Sequence, residues 1–290
     1  MTINNNSAGI LVLGSTGKTG SRVAARLQAL NIPVRMGSRK AAIPFDWDNQ
    51  ATWQAALQGI TAVYIAFAPD LAIPGTDNTI RLFTRVAVQQ GVQQLVLLSG
   101  RGEPEAARCE AIVQQSGLQW TIIRASWFMQ NFSESYLLEP VLAGHMALPA
   151  GDTGEPFVDA DDIADVAVAA LTQPGHANQL YEVTGPRLLT FREAVAEIAA
   201  ATDRAIQYEQ VSSEAYASML NEYGVPADVT ALLSYLFSEV LDGRNAATTN
   251  GIQRALGRLP RDFRQFLQSA VATGQFRETI EQLTIVPMPM

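Results

Sequence analysis

The sequence predicts an α/β protein: a doubly wound parallel sheet with a smaller, mainly helical lobe toward the C-terminus. Three observations predict it. Short apolar runs alternate with helical patterns over the first 125 or so residues. A glycine-rich turn, Gly14-Ser15-Thr16-Gly17-Lys18-Thr19-Gly20, joins the first of those runs to the first helix. After Arg124 the alternation stops, and from Ser212 onward the pattern is mostly helical.

The elements follow in order. Ile10-Leu11-Val12-Leu13 reads as a buried parallel strand, because it is apolar without alternation. The helix after the turn places Val23, Leu27 and Leu30 on one face and Arg22 and Arg26 on the other. A second strand runs through Val34 toward Lys40, and residues 62–67 form the next. Residues 77–90 read as a helix with Ile80, Phe83 and Ala87 inward and Gly91 as its stop. Residues 94–99 are a strand, 103–116 a helix ended by Gly117, and 120–123 a strand. Residues 127–132 are aromatic-rich and irregular, and 149–156 form a loop. A helix is expected over 159–171, with acids in its first turn that favour the helix dipole. Thr190 and Glu193 form a capping box that opens a helix to about Ala201. Breaks are expected near Gly224, Gly243 and Pro260, and the tail 285–290 is an extended end or a packed strap. The organisation expected is a nucleotide-binding domain over 1–185, interrupted by a substrate loop at about 126–155. A lid lobe over 186–290 is expected to close over one end of the ligand.

Composition narrows the function. A chain of 290 residues that is 48% hydrophobic can bury a large core. A net charge of −8 without a basic run argues against nucleic acid as the main partner. A single cysteine, Cys109, rules out an internal disulfide and fits a reducing, cytoplasmic setting. With two separated histidines, His145 and His176, no metal site is expected. The first residues, 1–7, lack an apolar core, so no signal peptide is read there, and no run is long enough for a membrane span.

The glycine turn carries the chemistry. Between a buried strand and a helix start, unpaired N–H groups and the helix dipole bind phosphate, and glycines let a pyrophosphate approach the main chain. Gly14, Gly17 and Gly20 have the spacing Gly-x-x-Gly-x-x-Gly, so Gly14 through Gly20 are read as dinucleotide-binding. A Walker A loop would need glycine where Val12 stands. At the end of the second strand an NAD site would carry an acid for the ribose hydroxyls. Here Ser38-Arg39-Lys40 offers a hydroxyl and two cations, which would hold a 2′-phosphate, so the cofactor is read as NADP(H). Arg39 is preferred to Arg35, which strand alternation turns away. Asp46 either approaches the adenine or caps the next helix.

Taken together, these motifs resemble the NmrA-like branch of the atypical short-chain dehydrogenases/reductases. The strand ending Leu97-Leu98-Ser99, the run Ser116-Gly117-Leu118-Gln119-Trp120-Thr121-Ile122-Ile123-Arg124, and Phe128-Met129 with Asn131-Phe132 carry the likeness. Phe45-Asp46-Trp47, residues 127–134, Pro156-Phe157-Val158 and the segment 185–190 are similar to the festuclavine/agroclavine dehydrogenases of ergot-alkaloid synthesis. The resemblance implies a reductase acting on an imine, an iminium or a quinone-like acceptor. Standard members of the superfamily use a Tyr-x-x-x-Lys pair; the two lysines here, Lys18 and Lys40, do not follow a tyrosine at that spacing. Two functions survive: hydride transfer to a small, apolar, already electrophilic substrate, or NADP(H) sensing without turnover, as in some NmrA-like regulators.

Ser99 is a candidate for the substrate or the nicotinamide ribose, or else a strand-end hydroxyl. Asn131 either bonds substrate or braces its loop. Trp127, Phe128, Met129, Phe132 and Phe157 could build a dry aromatic pocket or pack an interface. Glu110 could orient Arg108 or a ligand, or stand exposed on its helix. Cys109 is a reactive thiol or an inert helix residue. The acids from Asp159 to Asp162 suggest a cation only superficially. Oligomeric state is not legible.

Overall fold

A computed structural model describes residues 9–277; the expectations for 1–7 and for the tail 285–290 fall outside them. In chain order the elements are β1 (Gly9–Leu13), α1 (Lys18–Ala29), β2 (Val34–Gly37), α2 (Trp53–Leu57), β3 (Ile60–Ile65), α3 (Thr76–Gln89), β4 (Gln94–Gly100), α4 (Pro104–Gln114) and β5 (Gln119–Ala125). There follow α5 (Asn131–Glu134), α6 (Leu138–Ala143), β6 (His145–Leu148), α7 (Ala160–Thr172), β7 (Gln179–Val183), α8 (Phe191–Thr202) and β8 (Gln207–Gln210). The last elements among the described residues are helices: α9 (Ser213–Glu222), α10 (Ala227–Tyr235), α11 (Gly251–Leu256) and α12 (Phe263–Ala272).

The chain divides into two units. The first comprises Met1–Ser126, Val158–Pro186 and Ala247–Pro260. Its sheet has the order β2-β1-β3-β4-β5-β7, parallel throughout. The order reverses between β1 and β3, which opens a crevice at the carboxyl ends of those strands. Apolar runs form these strands because both faces are covered: Leu11, Leu13, Val63, Ile65, Leu95, Leu97 and Ile122 are fully buried. On one face Phe45, Trp53 and Phe83 pack with Trp47, ring centroids 4.8–6.3 Å apart.

The expected boundary at 186 needs one correction: residues 247–260 return to the first unit. Gly251 sits so tightly on the Glu182 main chain of β7 that a Cβ there would strike it. Arg258 bonds Asp162 at 2.7 Å and Asp165 at 2.6 Å on α7. These partners lie about ninety residues upstream, so nothing local in the sequence marks the return.

The second unit comprises Trp127–Phe157, Arg187–Ala246 and Arg261–Met290. Its core holds Phe132, Phe157, Phe191 and Phe263 in mutual edge and tilted contacts. Arg187 ties α8 to α12 through Glu197 at 2.8 Å and Asp262 at 2.6 Å. A parallel pair, β6 with β8, was not expected. Each strand has four residues, and the sequence of β8, Gln-Tyr-Glu-Gln, carries no apolar alternation. Thr190 does form the capping box with Glu193.

Candidate functional site

The glycine turn is built by three different steric needs. Gly14 has φ +69°, and a Cβ on it would lie 2.8 Å from the Ala66 carbonyl oxygen just after β3. Gly17 donates its N–H to the Gly14 carbonyl at 2.9 Å and stands at the start of α1. Gly20 lies against the turn itself: a Cβ there would be 2.6 Å from the Gly14 carbonyl carbon and closer still to its oxygen. Helix and turn thus touch backbone to backbone. No side chain caps the first turn of α1 and no acid lies in it, so its N–H groups and dipole remain for an anion. The Ser15 hydroxyl is buried without a partner among the described residues, while Thr16 and Gly17 are exposed. An orphaned hydroxyl, an uncapped helix start and two glycines without room for a side chain fit a dinucleotide pyrophosphate.

At the end of β2, Gly37 passes so close to Leu13 and the Val12 carbonyl that no Cβ fits. The chain is thereby held against the nucleotide turn just before Ser38. Arg39 and Lys40 are exposed, and neither forms a hydrogen bond or ion pair with the described residues. Arg35 is occupied elsewhere, donating to the carbonyls of Ala56 at 2.8 Å and Gln58 at 2.7 Å. Asp46 shapes its own turn. Its carboxylate accepts from the Asp48 N–H at 3.1 Å, and its carbonyl accepts from the Trp53 indole at 2.7 Å. The cap of the following turn is Asn49, not Asp46.

The carboxyl end of β4 corrects the reading of Ser99 and Glu110. Glu110 is not an exposed helix residue, and it does not pair with Arg108, which bonds Glu105 instead. It is 3% exposed and bridges two strands. Ser99 Oγ donates to it at 2.6 Å, and Arg124 of β5 donates through Nε at 2.9 Å and Nη2 at 2.5 Å. The network continues: Arg124 approaches Glu182 of β7 at 3.8 Å, and Arg101 bonds Glu182 and the Ala247 carbonyl. A carboxylate held by arginine only accepts, so the Ser99 proton is committed to Glu110. Ser99 can accept a hydrogen bond from a ligand, but it does not have a free proton to give. Cys109 is wholly enclosed, and burial pushes its thiol up to about 12, which makes it an inert packing residue. The acids at the start of α7 are likewise spoken for. Asp159 caps the helix, Asp161 and Asp165 bond Arg26, and Asp162 bonds Arg258.

In the second unit, three of the residues expected to line a pocket are core. Met129, Phe132 and Phe157 are at most 2% exposed and pack within the aromatic cluster. Trp127 and Phe128 remain half-exposed; the Trp127 ring leans on Phe191 and Phe237 at 5.2 and 4.9 Å. Asn131 opens α5 half-buried, and its carboxamide has no hydrogen-bond partner among the described residues. No group of side chains among the described residues could hold a metal, and no described helix is long and apolar enough to cross a membrane.

A glycine-rich turn at the switch point of a doubly wound parallel sheet fits the class of NAD(P)-binding proteins. The comparisons agree. The NAD(P)H-binding profile matches residues 14–174, and the profile of the NmrA-like family matches residues 105–267. Festuclavine dehydrogenase of Aspergillus fumigatus is 31% identical over 288 residues, covering 91% of this chain and 98% of that one. An NAD(P)H azoreductase of Xenophilus azovorans is 29% identical, covering 91% and 98%. The structure of the Escherichia coli NADPH-dependent quinone oxidoreductase complexed with NADPH shares the fold, with a TM-score of 0.73 at 19% identity over 90% of this chain and 99% of that one. The chain belongs to the NmrA-like family, and it is an NAD(P)H-dependent oxidoreductase.

Proposed function

We propose that the protein is an NADPH-dependent reductase of small apolar substrates that are already electrophilic at carbon: an imine, an iminium or a quinone-like acceptor. The observation that carries the cofactor choice is the pair of unpaired cations, Arg39 and Lys40, beside Ser38 at the end of β2. No acid stands there to repel a 2′-phosphate. Gly14 to Gly20 hold the pyrophosphate, with Ser15, Thr16, Lys18 and Thr19 lining the turn. Ser99 accepts a hydrogen bond from the nicotinamide end. When bound, the cofactor supplies two electrons and one hydrogen to the substrate carbon.

The substrate class follows from what the chain lacks and what it keeps. Without a tyrosine–lysine pair and with the Ser99 proton committed to Glu110, a carbonyl would have no polarising donor from these positions. An electrophilic carbon needs positioning and exclusion of water instead. Within the second unit, Trp127 and Phe128 keep half-exposed aromatic surface, the kind of surface an apolar substrate would take. The names of relatives support the reading: a festuclavine dehydrogenase and an azoreductase align over nine-tenths of the chain.

NADPH oxidation with a panel of cyclic imines, iminium salts and quinones tests the proposal. Turnover of any member supports it. Binding of NADPH at micromolar levels with no turnover of any member would favour the NADP(H)-sensing function.

A further inference from the structure

Reduction of a neutral imine needs a proton at nitrogen as well as hydrogen at carbon. The usual tyrosine is absent, the Ser99 hydroxyl already donates its hydrogen bond to Glu110, and Cys109 is enclosed. One carboxyl is placed differently. Glu103 stands at the start of α4, three residues past the end of β4. Its carboxyl folds back over Gly100, whose missing side chain makes the space: a Cβ on Gly100 would land on both Glu103 oxygens. Oε2 is enclosed and has no hydrogen-bond partner among the described residues, although the residue as a whole stays part-exposed. Asp70, in the loop after β3, faces it, and Glu105 and Glu110 add negative charge from α4.

We propose that Glu103 is the proton donor of this enzyme, its carboxyl seated over Gly100 at the carboxyl end of β4 in place of the missing tyrosine. The assignment rests on the reductase reading above. Burial first, and then the charges of Asp70, Glu105 and Glu110, raise the Glu103 carboxyl to about 9, so it carries its proton at neutral pH. Asp70 is raised too by burial, against the N–H groups of Ala72 and Leu71 that it accepts from. The step balances. The imine carbon gains hydrogen with the electron pair released as NADPH becomes NADP⁺. The C=N π pair becomes a nitrogen lone pair, and that nitrogen takes the Glu103 proton. The carboxylate left behind is reprotonated from water. An iminium, whose nitrogen already carries a third substituent, becomes a neutral amine on hydride addition and needs no such proton.

The test compares a weakly basic cyclic imine with its N-methyl iminium salt, in wild type and Glu103→Gln, across pH 6 to 10. The expected loss of kcat for Glu103→Gln is about 100-fold or more with the imine. It should stay within about threefold with the iminium, with NADPH binding retained. The wild-type imine rate should fall as pH rises through about 9, and Asp70→Asn should move that fall to lower pH. Infrared spectra give a readout without turnover. A neutral carboxylic-acid carbonyl band should be present at pH 7.5, vanish as the pH passes about 9, and be missing in Glu103→Gln. Equal losses on both substrates, an unchanged imine rate, or no such band would overturn the assignment. Wild-type inactivity on both substrates would overturn the reductase reading and the assignment with it, a pattern distinct from the other three.

Discussion

Gly17 and Gly20 sit three residues apart in one motif, yet alanine at each should fail in a different way. At Gly20 the new methyl would lie 2.6 Å from the Gly14 carbonyl carbon and 3.1 Å from the Ser15 Cα. Both are backbone atoms, so no side chain can swing aside, and α1 must lift off the turn. Overpacking a tight site costs about 1–3 kcal/mol, and a contact made only with backbone places Gly20→Ala near the top of that range. At Gly17 the methyl would meet the Gly14 oxygen at 3.3 Å and nothing else within 4 Å, with an ordinary φ of −86°. Folding should barely notice it, with a change of about 0.5 kcal/mol or less. The methyl would instead occupy the exposed space where the pyrophosphate approaches the helix start. NADPH affinity should therefore fall about tenfold or more, equivalent to about 1.4 kcal/mol. Thermal unfolding without ligand and fluorescence titration with NADPH separate the two effects. Gly20→Ala with unchanged Tm, or Gly17→Ala with unchanged Kd, would refute the division of labour argued for the turn.

Three further outcomes are expected. Arg39→Ala should weaken NADPH by about 1–3 kcal/mol, the scale of a lost charge-assisted hydrogen bond, and leave NADH unchanged, as read by the same titration. Glu110→Ala should destabilise by about 3 kcal/mol in urea unfolding, because it strands Arg124 and the Ser99 hydroxyl; a loss under 1 kcal/mol would show that the network is not structural. Folded Glu103 keeps its proton to about 9, whereas an unfolded glutamate loses it near 4.5. The folded state thus binds the extra proton in that window, and stability falls as pH rises through it. Glu103→Gln should raise Tm at pH 8 and flatten the decline between pH 5 and 9.

Buried parallel strands were legible because both their faces are largely apolar, so β1, β3, β4 and β5 read as short runs with mostly hydrophobic centres. The glycine turn was legible because its chemistry is local. The unreadable parts depend on distant partners. Met129, Phe132 and Phe157 look the same in sequence whether they line a pocket or fill a core, and only Phe191 and Phe263 decide the matter. Glu110 reads as a surface helix glutamate until Arg124 arrives from the next strand. The pairing of a Glu at 110 inside the helix with an Arg at 124 on the following strand, across the stop at Gly117, was the available signal. The return of 247–260 to the first unit rests on Gly251 packing against β7, a fit that no periodicity encodes. Glu103 is hidden for a related reason: its setting is made by the absence of a side chain at Gly100 and by an acid on another loop.

The central claim, an NADPH-dependent reductase, meets its most direct test in parallel titration of the protein's tryptophan fluorescence with NADPH and NADH at one ionic strength. Arg39, Lys40 and Ser38, with no acid beside them, require NADPH to bind at least about tenfold tighter, a difference of about 1.4 kcal/mol. That preference should shrink as salt is raised, since exposed cations are screened. NADH binding as tightly as NADPH, or more tightly, would contradict the account.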